Sequence, residues 1–246
     1  MIDVAFTPLT LGAAEVAGRT VFVIDILRAT TTICAALANG AKSVIPAATG
    51  EDAVRIAQSI GGGALLAGER DCLRMPGFAL GNSPLEMTRE AVEGRLLVQS
   101  TTNGTRALLA AEHAKAVYAA AAVNLGVAAE RARDAIDAGE PLLIICAGRE
   151  GRFSLDDAYC AGRLISAALG PNPPRRHLGD AAIASLALAR RFGTGWLRPL
   201  RASAAGRELH RRGFDADIEA AASADAYPVL PQYHDRRLTA LSLATA

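Results

Sequence analysis

Long apolar runs are missing from this chain. No 18 consecutive residues are apolar without a break, so no membrane-spanning helix is expected. The opening MIDVAFTPLT carries an acid at position 3 and no basic segment, and it does not read as a secretory leader. Paired cysteine spacings are missing as well. Cys34, Cys72, Cys146 and Cys160 stand far apart without CxxC or CxxH, which argues against a zinc site and a disulfide framework and for a reduced, cytoplasmic protein. Lysine is nearly absent, with 2 against 24 arginines, yet the net charge is only +1. That balance offers no footprint for nucleic acid and no polyanionic tail. Internal repeats and low-complexity linkers are also lacking.

What is present is 246 residues with 51% hydrophobic content, enough for one large domain or two small ones. Short apolar runs alternate with helical patterns. VFVIDI (21–26), KSVIPAA (42–48), ALLAGE (64–69), RLLVQST (95–101), AKAVYAAA (114–121) and PLLIICAG (141–148) read as strands. Between them lie helix-like segments such as RATTTICAALANG, with Gly40 as its stop, and TGEDAVRIAQSI, with Thr49 and Asp52 spaced as a capping box. After SLDDAYCAGRLISAALG the strands stop. Residues 180–220 look helical, and YPVLPQY is read as a closing tail. This order predicts an α/β fold, a largely parallel β-sheet with helices on both faces and a mostly helical C-terminal part. The whole of 1–246 reads as one unit. The breaker-rich PNPPRR (171–176) offers the one candidate subdivision, near 170–180, before a helical part from 180 to 246.

Ligands of open parallel sheets bind at the carboxyl ends of the strands. Four such ends carry polar residues here: Asp25 and Arg28; Glu69 and Arg70; Ser100, Thr101, Thr102, Asn103, Gly104 and Thr105; Arg149, Glu150 and Arg152. The set suits an anion together with a divalent metal. Arginine grips phosphate, sulfonate or carboxylate oxygens with a planar fork. STTNGT offers hydroxyls and free backbone N–H groups at a helix start, which suits a phosphate. Asp25, Glu69 and Glu150 are hard oxygen ligands of the kind Mg²⁺ takes. The polar loop RDCLRMPGFALGNSP (70–84) is long for an α/β unit, as functional loops often are, and it brings Asn82 and Ser83 into the candidate set.

Each residue also has a plainer reading. Asp25 alone is equally a helix cap. Glu69–Arg70 and Arg149–Glu150 taken singly are surface charges on loops. Ser154 with Asp157 matches a capping box, which leaves Asp156 without so simple a role. Cys146 in its apolar strand is a core thiol. The histidines His113, His177, His210 and His234 lack ligand spacing. Familiar phosphotransfer signatures are absent: no GxxxxGK[ST], no DxD pair at Asp25, no Cys-x₅-Arg around Cys146, no GxSxG.

VIDILRATTTICAALANGAKSVIP, LAGERDCLRMPGFALGNSP, STTNGTRAL and CAGREGRFSLDDAYCAG resemble, in order, blocks of the 2-phosphosulfolactate phosphatase family, and SAAGRELHRRGFDADIEAAASADAYPVLP resembles its ending. Asp71–Cys72, after GER, falls in the variable part of the long loop. The resemblance implies an α/β fold of its own topology and a Mg²⁺-dependent enzyme of coenzyme M biosynthesis. That enzyme hydrolyses 2-phosphosulfolactate to 3-sulfolactate and phosphate. A substrate with phosphate, sulfonate and carboxylate, roughly four negative charges, explains the arginines.

The roles expected on that basis are these. Asp25, with Glu69 or Glu150, holds Mg²⁺. Arg28 and Arg149 stabilise the phosphoryl oxygens. Ser100, Thr101, Thr102, Asn103 and Gly104 seat the phosphate, and Arg70 or Arg152, with Asn82 and Ser83 nearby, takes the far end. Asp25 as general base, Asp25 as phosphorylated nucleophile, Glu150 in a catalytic role, another phosphorylated acid as substrate, and a non-catalytic metabolite binder all stay open. A small anionic phosphoester is the expected ligand and a homo-oligomer the expected assembly.

Overall fold

The computed structural model describes residues 1–61 and 63–241. Its strands are β1 (Ile2–Ala5), β2 (Thr20–Ile24), β3 (Ser43–Pro46), β4 (Leu65–Arg70), β5 (Leu73–Arg74), β6 (Leu96–Ser100), β7 (Ala116–Ala120), β8 (Leu142–Cys146), β9 (Pro231–His234) and β10 (Arg237–Ala240). Its helices are α1 (Ala13–Val16), α2 (Ala29–Ala38), α3 (Gly50–Ser59), α4 (Arg89–Val92), α5 (Gly104–Ala110), α6 (Leu125–Asp137), α7 (Leu155–Leu169), α8 (Asp180–Phe192), α9 (Leu197–Ala202), α10 (Ala204–Arg211) and α11 (Asp215–Ala221). The strands form one sheet in the order β1-β8-β2-β7-β9-β10-β3-β6-β4-β5.

Two parallel blocks make up most of the sheet: β1-β8-β2-β7 and β3-β6-β4. Alternate residues of the first block feed opposite faces, as the pleat requires. Phe22, Ile24, Ile144 and Cys146 pack in one core with Tyr159, Leu164 and Ile165 of α7. Val21, Val23, Leu143 and Ile145 pack in a second with Ile33 of α2 and Leu108 of α5. A smaller core joins α3 to Val98 of β6 and Phe78 of the long loop. Strands apolar on both sides are what helices on both faces demand.

The C-terminal stretch departs from the expected helices and tail. It supplies a hairpin, β9–β10, seated between the two blocks, antiparallel to β7 on one side and β3 on the other. Asp235 and Arg236 both have positive φ, as a two-residue hairpin turn needs, and an Asp-Arg pair announces that turn only weakly. Counted strand by strand, the β3 block therefore runs opposite to the β2 block. The turns that follow the strands of the two blocks nevertheless reach one another. Glu150 N–H, beyond β8, donates to Asn103 Oδ1, beyond β6, at 3.1 Å.

Among the described residues no helix is long and apolar enough to cross a membrane.

Candidate active site

Asp25 follows β2 directly, and the threonine run behind it ties the turn down. Asp25 N–H donates to Thr30 Oγ1 (3.1 Å), Thr31 Oγ1 donates to the Ile26 carbonyl (2.8 Å), and Thr32 Oγ1 donates to the Asn82 carbonyl (3.0 Å). The Leu27–Arg28 peptide is cis. The Asp25 carboxylate takes a long hydrogen bond from Ala29 N–H (3.4 Å), so its capping role is present but weak. It is 7% exposed and its pKa is pushed up to about 7, chiefly by burial and then by Asp156, with Glu69 adding and Arg28 opposing.

Gly104 explains how two helix starts fit beside that acid. A Cβ there would stand 2.5 Å from Ala29 Cβ and 2.8 Å from Asp25 Oδ2. Only glycine lets the start of α5 press against Asp25 and the start of α2.

Arg28 is buried. Its Nη1 donates to Asp217 Oδ2 at 2.6 Å, its Nη2 to the Cys72 carbonyl at 2.7 Å, and its guanidinium lies 4.6 Å from the Phe214 ring centroid. Ser83 Oγ donates to the other oxygen of Asp217 at 2.6 Å.

Glu69, near the end of β4, has its carboxylate occupied. Oε1 accepts from Thr102 N–H and Thr102 Oγ1, both at 2.9 Å, and Oε2 accepts from Cys72 N–H at 2.8 Å. It thereby joins two strand ends. Arg70, one residue on, points outward, as alternation along a strand requires. Asp71 and Cys72, in the stretch read as variable, form the turn of the β4–β5 hairpin with positive φ and face the cleft.

Beyond β8 the chain makes a tight turn. Arg149 and Arg152 exchange backbone hydrogen bonds, both at 2.9 Å. The Arg149 side chain is 32% exposed and the Glu150 side chain 72%, with a loose 3.9 Å ion pair between them. The start of α7 differs from the expected capping box. Ser154 makes no cap hydrogen bond with its side chain; its hydroxyl donates to Asp156 Oδ1. Asp157 instead accepts Ile26 N–H and Gly148 N–H, each at 3.0 Å, and so locks the ends of β2 and β8 together. Buried acids need donors: Asp156 takes one from Ser154 at the start of its own helix, and Asp157 takes two from the ends of two strands. Burial raises both above the usual carboxylate range. For Asp157 the charges of Asp156 and Asp25 add to the rise.

One cleft of about 550 Å³, counted with its open mouth, collects these ends. Asp25, Arg28, Glu69, Asn82, Thr101, Thr102, Asn103, Arg149 and Glu150 line it, joined by Leu27, Asp71, Cys72, Ala205 and Leu209. Arg70, Ser83, Ser100, Gly104 and Arg152 stand outside that lining. Ser83 reaches it through Asp217, and the buried hydroxyl of Ser100 has no partner among the described residues. Sequence reading did not single out Asp217, which lies 189 residues from Arg28 on a C-terminal helix, nor Ala205 and Leu209 of α10. No spacing could have signalled such distant pairings. Cys146, in β8, is a core thiol: burial lifts its pKa well above its ordinary range. Among the described residues no three acidic, cysteine or histidine groups form a ready metal cage.

The cleft thus offers acids, arginines and hydroxyls to a small polyanion. A family model described as 2-phosphosulpholactate phosphatase matches residues 6–236. A probable 2-phosphosulfolactate phosphatase of Symbiobacterium thermophilum is 39% identical over 231 residues, covering 93% of this chain and 97% of that protein. Proteins of the same description from Thermotoga petrophila and Clostridium novyi are 35% and 33% identical, covering 94% and 97% of this chain and 94% and 99% of their own lengths. The chain belongs to the 2-phosphosulfolactate phosphatase family, which are phosphoric monoester hydrolases.

Proposed function

We propose that this enzyme hydrolyses 2-phosphosulfolactate to 3-sulfolactate and phosphate with Mg²⁺, in the manner of coenzyme M biosynthesis, in a reduced cytoplasmic setting. The observation that carries the reading is the cleft itself. A buried acid, Asp25, faces two arginines and the Thr101–Asn103 turn within one small volume.

The residues fit such an ion. Asp25 is a buried carboxylate with acidic neighbours, and Glu150 borders the same cleft. Glu69 contributes mainly charge, since its oxygens already accept three hydrogen bonds. Mg²⁺ is commonly held by one or two carboxylates, with waters and substrate phosphate completing the shell, so a preassembled cage is unnecessary. When bound, the ion supplies Lewis-acid neutralisation of the phosphoryl oxygens. The chain's own groups do the rest. Asp25 would hold the ion from the floor of the cleft. Arg28, anchored from behind, offers its remaining N–H groups to the phosphoryl oxygens as charge redistributes between the attacking and leaving oxygens. Asn103, with Thr101 beside it, seats the phosphate, while Thr102, whose N–H and hydroxyl both donate to Glu69, holds the turn in shape. Arg149, partly exposed at the rim, takes the sulfonate or carboxylate end. Leu27, Ala205 and Leu209 keep bulk water from one wall.

The test is phosphate release from 2-phosphosulfolactate and from 2-phospholactate, which lacks the sulfonate. A site with donors for the sulfonate should prefer the former by about tenfold or more in kcat/KM. No release from 2-phosphosulfolactate would sink the reading.

A further inference from the structure

Arg28 carries a buried anchor of its own. Asp217 is 2% exposed, Arg28 4% and Ser83 5%. Asp217 divides its carboxylate between Arg28 Nη1 and Ser83 Oγ, each at 2.6 Å. Phe214, three residues before it, stacks on the guanidinium. The Cys72 carbonyl takes Nη2 at 2.7 Å. Two segments remote from the α2 start therefore grip its arginine: the long loop and the α11 region. Arg28 itself lines the cleft. Among the described residues two of its five N–H groups are engaged, which leaves three for a ligand.

A buried ion pair is a poor device for stability alone, because desolvation offsets much of the attraction and apolar replacements are often as stable. It is a good device for fixing a planar fork in one orientation. Resting on the function proposed above, we propose that Asp217 is a positioning residue for catalysis. It orients the Arg28 guanidinium toward the phosphoryl group, with Ser83 holding Asp217 in turn. The C-terminal helices thereby become part of the active site.

The test is a double-mutant cycle of Asp217→Asn and Arg28→Met, each and together, with Asp215→Asn on the same helix as control. Asn keeps the size of Asp217, and the double variant buries no unpaired charge, so folding is retained; thermal unfolding checks this. In the native background Asp217→Asn should lower kcat/KM by about 10²-fold, the scale of a misplaced catalytic group. In the Arg28→Met background it should change kcat/KM by less than about twofold, because a residue acting only through Arg28 has nothing left to orient. Asp215→Asn should leave kcat/KM unaltered. A lowered unfolding midpoint with kcat/KM intact would make Asp217 a mere staple and overturn the inference. Equal losses in both backgrounds would overturn it too. Where the wild type does not hydrolyse 2-phosphosulfolactate, the functional reading fails separately, and the cycle is read on affinity for inorganic phosphate. Non-additivity there supports the inference; additive losses, or no phosphate binding, overturn it.

Discussion

Asp25 and Glu69 close strands in opposite blocks of one sheet, and their carboxylates live differently. Glu69 is committed: three donors from Thr102 and Cys72 occupy both its oxygens and stitch the β4 and β6 ends together. Asp25 is equally buried but takes one long backbone bond, and its burial and acidic neighbours lift its pKa. A satisfied buried acid is architecture, whereas an unsatisfied one is a site waiting for a cation or proton. The two strand ends look alike as sequence, and only the donors around them separate their roles.

The sharpest way to break this comparison is to neutralise both acids in turn. Asp25→Asn should cost about 10³-fold in kcat, as loss of a principal charge at the reacting centre does, with the unfolding midpoint unchanged or raised. Glu69→Gln keeps one acceptor and loses the bond from Cys72 N–H. It should cost roughly 1–3 kcal/mol of stability, the penalty for an orphaned buried group. Its activity, measured on folded protein, should fall far less than that of Asp25→Asn. Equal losses of activity would erase the distinction. Gly104→Ala probes the meeting of the two blocks, since the added Cβ collides with Ala29 and Asp25. Overpacking of that kind costs about 1–3 kcal/mol, and Mg²⁺ affinity measured by calorimetry should weaken with it. Smallest for activity is Ile144→Ala, in the core beneath β8. It should lose about 2–5 kcal/mol in denaturant unfolding, with kcat per folded molecule essentially unchanged.

The same comparison shows what the sequence makes legible. Apolar runs that end in charge were readable, because a strand buried on both faces must be continuously apolar and its polar end must face solvent or a ligand. Helix starts such as Thr49 were readable from local spacing, and Thr49 does accept Asp52 N–H at 3.0 Å. β1 escaped because its four residues are of mixed character and the helix that follows, α1, has only four residues. The β9–β10 hairpin escaped because Pro228 and Pro231 mask it and its turn lacks glycine. Ser154 and Asp157 matched a local motif, yet tertiary donors from Ile26 and Gly148 outcompeted the cap. Within the cleft, parity along a strand decides that Glu69 faces inward and Arg70 outward, and that phase is set by packing rather than by residue type. Asp217 was invisible for a simpler reason: nothing local in DADIEAA distinguishes a buried anchor from a surface acid of a helix.

The most direct test of the whole account is phosphate release from 2-phosphosulfolactate with Mg²⁺ and with EDTA, for wild type and Asp25→Asn. Turnover in the wild type should depend on the metal and collapse in Asp25→Asn to the level of the EDTA-treated enzyme. Undiminished turnover by Asp25→Asn, or turnover indifferent to EDTA, would contradict it and return Asp25 to the role of a helix cap.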